Sequence, residues 1–282
     1  VIERFTAVDY QNKVAFITGG SSGIGLALAK ALSADGAHVW VMARHEDRLK
    51  MALDEIRAAR KNPNQNFGTV AGDVTYFEQV TSAVDKITQA AGFPDLLINS
   101  AGVARPGYVQ ELDLEIFRLM MEVNYFGTVY TTKACLPGMI QRRSGHIVNI
   151  SSGAGFLGIF GYTAYGASKF AVAGFSDVLR AEMKPHGIRV SIVYPQDTDT
   201  PQLTYENQFK PPETKAITGD SKVMKPDEVA RIVLRGMKRG RYVILPGMEV
   251  AGVYWLSGFL GNAVFPIMDY LIAKNHNGNK RS

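Results

Sequence analysis

From Lys13 onward the chain alternates short runs of apolar, often β-branched residues with longer stretches in which apolar positions recur every three or four residues. Short apolar runs bounded by turns suit buried strands and the longer period suits helices, so the pattern predicts strand-helix-strand units and a parallel sheet. Strands are predicted at Val14–Thr18, His38–Ala43, Phe67–Ala71, Leu96–Asn99, His146–Ser151, Arg189–Tyr194 and Tyr242–Leu245, with helices beginning near Ile24, Glu46, Phe77, Leu114, Tyr165 and Pro226. Turns are short up to about Tyr194 and no segment repeats. Residues 1–245 are therefore expected to form one α/β domain, followed by an apolar helical extension over 246–282.

Two stretches break the rhythm. Gln196–Lys225 is polar, contains prolines and has no clear period, so it reads as a long loop placed just after a strand, where lids and binding segments sit. Val250–Met268 carries no charged side chain and reaches the length of a membrane span, yet it holds Gly252, Gly258, Gly261, Asn262 and Pro266. A helix pair packed on the core or dipping into one leaflet competes with a span. Lys238, Arg239, Arg241 and Lys274 lie close enough in sequence to meet lipid headgroups, or to form a solvated face beside an apolar interface.

Composition narrows the class. The 282 residues are 46% hydrophobic and 20% charged, which excludes a disordered or collagen-like chain and suffices for a large core. Thirty-one basic against 26 acidic residues leave +5, without a basic stripe interleaved with aromatics, so no nucleic-acid partner is expected. The single cysteine, Cys135, excludes an intramolecular disulfide or a multi-cysteine metal site and suits a small core position in a helix; no metal is expected. The opening Val1-Ile2-Glu3-Arg4 is charged and lacks an apolar run, so no cleavable signal is expected there.

Thr18-Gly19-Gly20-Ser21-Ser22-Gly23-Ile24-Gly25 follows the first predicted strand and opens a helix. Such a turn lets backbone amides approach a pyrophosphate, and Gly19, Gly23 and Gly25 remove the Cβ atoms that would stand in the way. The spacing is a variant of the dinucleotide fingerprint. After the second strand, where a free ribose 2′-hydroxyl would call for Asp or Glu, the sequence reads Val41-Met42-Ala43-Arg44-His45. A 2′-phosphate fits better, so NADPH is predicted, with Ser21, Ser22 and Arg44 as contacts; the competing role for Arg44 is an ion pair with Asp47.

Tyr165 and Lys169 are four residues apart and so share a helix face. A nearby ammonium lowers a phenol pKa toward the range general acid–base chemistry needs. Upstream, Asn149-Ile150-Ser151-Ser152 ends a strand, where open parallel sheets bind ligands, and Ser152 can hydrogen-bond a carbonyl.

Together with Asp73 in Gly72-Asp73-Val74, Asn99-Ser100-Ala101-Gly102, Asn124 and Tyr194-Pro195, these motifs resemble the short-chain dehydrogenase/reductase family as far as about Leu245. The resemblance implies a Rossmann-type doubly wound parallel sheet of about seven strands. It also implies a catalytic set of Asn124, Ser152, Tyr165 and Lys169. Cofactor contacts would come from Gly19, Ser21, Ser22, Gly23, Ile24, Gly25, Arg44, Asp73, Val74, Asn99, Ala101, Gly102, Tyr165, Lys169, Pro195, Thr198 and Thr200. Ser100, Gln196 and Thr198 depart from the common family pattern and leave the loop on the nicotinamide side open.

Within the family, Ala43–Leu49, Leu157–Tyr165 and Tyr194-Pro195-Gln196-Asp197-Thr198-Asp199-Thr200-Pro201 are similar to the 3-ketosphinganine reductases. That likeness implies hydride transfer from NADPH to the C3 ketone of a long-chain 2-amino-3-ketone. Tyr165 would be the proton donor, Lys169 would lower its pKa and bind the nicotinamide ribose, Ser152 would polarise the ketone, and Asn124 would hold a water leading to Lys169. Asn124 as a satisfied core amide is the alternative. Asp197 and Asp199 are candidates for the substrate ammonium or for turn and cap roles. Phe156, Leu157, Phe160 and the 250–268 segment are candidates for the acyl tail or for a subunit interface. A membrane-surface contact, a cytoplasmic active site (on the endoplasmic reticulum in a eukaryote) and a homo-oligomer are further expectations. Competing functions are reduction of another hydrophobic ketone (steroid, retinoid or 3-ketoacyl) and a non-catalytic NADP(H)-binding scaffold.

Overall fold

The computed structural model describes residues 8–218, 222–266, 269, 270 and 273. Seven strands, β1 (Val14–Thr18), β2 (His38–Ala43), β3 (Phe67–Ala71), β4 (Leu96–Asn99), β5 (Gly145–Ile150), β6 (Ile188–Val193) and β7 (Val243–Ile244), form one parallel sheet in the order β3-β2-β1-β4-β5-β6-β7. β1 to β4 begin and end where the pattern predicts; β1, β2 and β4 are largely buried apolar runs, whereas β3, at the sheet edge, is part-buried. β5 and β6 each start and end one residue early, and β7 keeps only its two central residues.

Along β1, Ala15 and Ile17 face one core and Val14 and Phe16 the other, as a pleat of period two requires. The first core is closed by α1 (Gly23–Asp35), α2 (Glu46–Ala58) and α9 (Pro226–Lys238). The second is closed by α3 (Phe77–Ala91), α5 (Gly127–Arg142) and α6 (Thr163–Met183). The helix predicted at Leu114 is α4 (Leu114–Met120), which runs through a π-helical turn at Met121–Phe126 into α5. Cys135 lies fully buried within α5.

The stretch predicted as a long loop contains α7 (Pro201–Glu206) and α8 (Pro212–Thr218). Thr200 caps α7 by accepting the Leu203 N–H, and Pro201 takes the first helical position, where no N–H is needed. The base of this segment is stapled. Asp199 donates its N–H to Met224, Met224 donates its own to Asp197, and the Gln196 amide bonds the Lys222 carbonyl. Gln196, unusual for the family, thus ties the segment shut.

At the C-terminus α10 (Met248–Leu260) is followed by a short 3₁₀ turn at Gly261–Ala263, with Gly261 at φ 53°. Among the described residues no helix is long and apolar enough to cross a membrane; Ile267 and Met268 of the 250–268 segment, and Lys274, lie outside them. Lys238 is paired with Asp35 and is not free for headgroups.

Candidate active site

The strand order reverses between β1 and β4, and the functional residues gather at the C-terminal ends beside that reversal. The buried Thr18 hydroxyl accepts the N–H groups of Ser100 and Ala101, each at 3.3 Å, which ties the two turns together. Gly19 sits at φ +67°, and a Cβ there would lie 2.7 Å from the Ala101 nitrogen, so both twist and proximity exclude a side chain. A Cβ on Gly25 would lie 2.4 Å from the Gly19 carbonyl oxygen. The first turn of α1 has no acidic residue, and its N-cap, Ser22, makes no side-chain capping bond. Free amides and the positive helix end therefore face the cleft, an arrangement that takes up a phosphate. This cradle, which a Cβ would fill, fits a dinucleotide pyrophosphate.

Ser21, Ser22, Gly23 and Ile24 line the same cleft. Arg44, Asp73 and Val74 line it further along, at the ends of β2 and β3. Arg44 makes no ion pair with Asp47, and Arg48, which motif reasoning did not single out, joins it at the cleft wall. Ala101, Gly102, Pro195, Thr198 and Thr200 line the other end. Asn99 is not brought to the cleft. Its side chain is buried, donating to Asn149 at 2.8 Å and accepting from Thr131 at 2.5 Å, so it braces β4 against β5 and α5.

Ser152, Tyr165 and Lys169 converge there, positioned by the end of β5 and by α6. The Ser152 and Tyr165 hydroxyls share a hydrogen bond. Lys169 Nζ donates to the Ile150 carbonyl at 3.0 Å and stands 5.7 Å from the Tyr165 ring centre. Burial pulls Lys169 down to about 8. The expected lowering of Tyr165 is not the net result: burial, then the charge of Glu206, pushes the phenol up, against the Ser152 and Gln202 hydrogen bonds. Burial disfavours the charged form, and for a phenol that means an upward shift.

Asn124, in the π-helical turn, is buried and satisfied by protein. Its Oδ1 accepts the Val103 N–H at 2.9 Å, and its Nδ2 donates to the Val103 carbonyl at 3.0 Å and to Ser168 at 2.9 Å. It clamps the turn after β4 onto α6. A Cβ built on Gly102 would lie 3.2 Å from Asn124 Oδ1 and 3.6 Å from Lys169 Nζ, so the two side chains border one point.

Of the residues considered for a substrate, Asp197 lines the cleft whereas Asp199 is exposed outside it. Phe156 packs edge-on against Tyr194 and Tyr254, at 5.2 and 5.0 Å, and Phe160 against Tyr108 at 6.0 Å. Neither these nor Leu157 lines the cleft; Ile159 does. Glu206, Gln202 and Tyr162 also line it, and Tyr162 donates a short hydrogen bond to Glu206. No local pattern announces Glu206, since Tyr162, just before α6, is 44 residues away in sequence.

With this geometry the chain is a nicotinamide-dependent oxidoreductase of the short-chain dehydrogenase family. The short chain dehydrogenase family model matches residues 13–211, and the chain belongs to that family. Among its relatives, the 3-dehydrosphinganine reductase of Danio rerio is 42% identical over 80% of this chain and 68% of that protein. The 3-ketodihydrosphingosine reductase of Dictyostelium discoideum is 38% identical over 97% of this chain and 86% of its own length. A solved short-chain dehydrogenase from Burkholderia phymatum in complex with NAD superposes at TM-score 0.79 with 25% identity, covering 90% of this chain and 95% of that one. One from Sphingobium yanoikuyae in complex with NADPH gives 0.75 with 28% identity, over 91% and 95%.

Proposed function

We propose that this protein reduces the C3 ketone of 3-ketosphinganine to the alcohol of sphinganine, with NADPH as the reductant, in sphingolipid synthesis. The observation that carries the reading is the meeting of Ser152, Tyr165 and Lys169 beside a dinucleotide cradle, in a chain similar over most of its length to reductases of that substrate. A nicotinamide bound here would supply the hydride. Tyr165, held neutral, gives its proton to the developing alkoxide, while Ser152 donates a hydrogen bond to the same oxygen and stabilises the charge as it forms. Lys169 would hold the nicotinamide ribose, and the gap it shares with Asn124 Oδ1 over Gly102 is where a water would return the proton. NADPH is preferred because Arg44, directly after β2, and Arg48, near the start of α2, line the cleft where a free 2′-hydroxyl would call for an acid.

The outer face of α10 supports contact with a membrane surface, with the active site on the cytoplasmic side. Met248, Trp255 and Phe259 are 92, 70 and 88% exposed, and Arg239 and Arg241 lie nearby. Residues 1–245 act as the catalytic domain and 246–282 as its membrane-facing extension. Exposed Phe126, Phe170 and Val178 near and along α5 and α6 support pairing with a second copy. The test is NADPH oxidation with detergent-dispersed 3-ketosphinganine, beside NADH and a 3-ketosteroid. Turnover of the amino-ketone that disappears in Tyr165→Phe is expected; turnover of the steroid alone, or of no ketone, would overturn the assignment.

A further inference from the structure

In a 2-amino-3-ketone the nitrogen is bonded to the carbon next to the carbonyl, so it lies about 3 Å from the ketone oxygen whatever the tail does. Any counter-charge for it must therefore stand beside the hydroxyls that hold that oxygen, Ser152 and Tyr165. Three acids line the cleft: Asp73, Asp197 and Glu206. Asp73 follows β3 and is occupied by Thr75. Glu206 is next to the catalytic pair. Tyr162, bonded to it, has its ring 5.6 Å from that of Tyr165, and Gln202 hydrogen-bonds both Tyr165 and Glu206. Gln202 and Glu206 are four apart on α7, hence on one face of it.

The two acids share one lysine. Lys210 Nζ lies 3.5 Å from Asp197 and 3.7 Å from Glu206, with the Lys210 and Glu206 side chains 5 and 10% exposed and that of Asp197 37%. Glu206 is thus the buried member of the pair, and a buried carboxylate so loosely paired is costly. Burial also pushes the Glu206 carboxyl above the ordinary range, a cost that a second cation would offset.

We propose that Glu206, held by Tyr162 and Lys210 and backed by Asp197, receives the ammonium of the amino-ketone and sets the preference for it over a plain ketone. This rests on the substrate class proposed above. Lys210 holds the two carboxylates together, and an incoming ammonium gives the buried Glu206 a second cation that a ketone without the amine cannot supply.

The experiment compares kcat/KM for 3-ketosphinganine and for its des-amino analogue of equal length, in the full-length protein and in Glu206→Gln and Glu206→Asp. The ratio of the two is expected to fall ~10–100-fold in Glu206→Gln, mainly through KM for the amino-ketone, and to recover in Glu206→Asp. Equal losses on both ketones would make Glu206 a structural brace and overturn the proposal, as would an unchanged ratio. If Glu206→Gln does not fold, Asp197→Asn, at a half-exposed position, takes its place; it is expected to lower the ratio, and an unchanged ratio again overturns the proposal. A wild-type protein that turns over only the des-amino ketone would instead remove the substrate assignment itself.

Discussion

Lys169 Nζ stands 5.7 Å from the ring centre of Tyr165 and donates its 3.0 Å bond elsewhere, to the carbonyl of Ile150. The lysine is thus anchored to the end of β5 and titrates near 8, while the phenol stays protonated. The pH profile of kcat/KM for the dinucleotide reports groups of the free protein. It is expected to show an alkaline limb near 8 as Lys169 loses its charge. In Lys169→Arg, whose guanidinium does not titrate in this range, residual activity should show no limb below pH 10.

Removing the acid or the oxyanion donor should separate chemistry from binding. Tyr165→Phe is expected to lower kcat by ~10²–10⁴ and Ser152→Ala by ~10²–10³. Dinucleotide affinity, followed by fluorescence quenching, should change little in Ser152→Ala. A loss of affinity matching the loss of rate would show that the cradle had been disturbed.

Cofactor choice is expected to follow Arg44. Arg44→Ala should raise KM for NADPH ~10–100-fold, the value of a charge-assisted bond, and leave KM for NADH nearly unchanged. Steady-state assays with both cofactors check this, and an equal effect on the two would assign Arg44 another role.

A buried relay far from the cleft predicts how acid acts on stability. Ser191 gives its proton to the Arg241 carbonyl, so its oxygen accepts from His146 Nε2, and His146 Nδ1 accepts from Tyr10. The imidazole is therefore neutral, and burial holds its pKa down to about 3. Between about 3 and 6.5 the unfolded chain binds the proton that the folded one refuses. Stability from this site is complete above pH 6.5 and declines as pH falls, by up to ~1.4 kcal/mol per pH unit. Urea unfolding between pH 4 and 7 is expected to show a shallower slope in His146→Gln.

Trp255 and Phe259 point outward, so Trp255→Ser with Phe259→Ser should shift unfolding by less than ~0.5 kcal/mol. Co-sedimentation with anionic vesicles should nevertheless fall at least tenfold. Retained binding would place the contact elsewhere.

The four strands β1 to β4 were legible to the residue, β1, β2 and β4 as largely buried apolar runs and the part-buried edge strand β3 as a short run between Asn66 and Gly72-Asp73. The cradle was equally clear from its spacing, although only Gly25 is demanded by a contact within the turn; Gly19 is demanded by its positive φ and by the backbone of Ser100 and Ala101. Two helices inside 196–225 were missed although Thr200-Pro201 is a cap followed by a first-turn proline; at six and seven residues they are too short to show a period. Asn99 belongs to a motif whose following turn reaches the cleft while its own side chain braces the sheet, a division of labour the motif alone does not show. Glu206 and Arg48 carry no local signal. Their placement depends on tertiary structure, on the bond from Tyr162 to Glu206 in one case and on α2 lying beside β2 in the other.

Cys135, the one thiol in the sequence, is fully buried within α5, and burial pushes it up to about 12. It stays protonated and out of reach of alkylating reagents at neutral pH. The native chain thereby behaves as its own cysteine-free background, and a cysteine introduced along α10 would carry a fluorescent or spin label alone. The depth of that helix at a bilayer can be read position by position without altering the core.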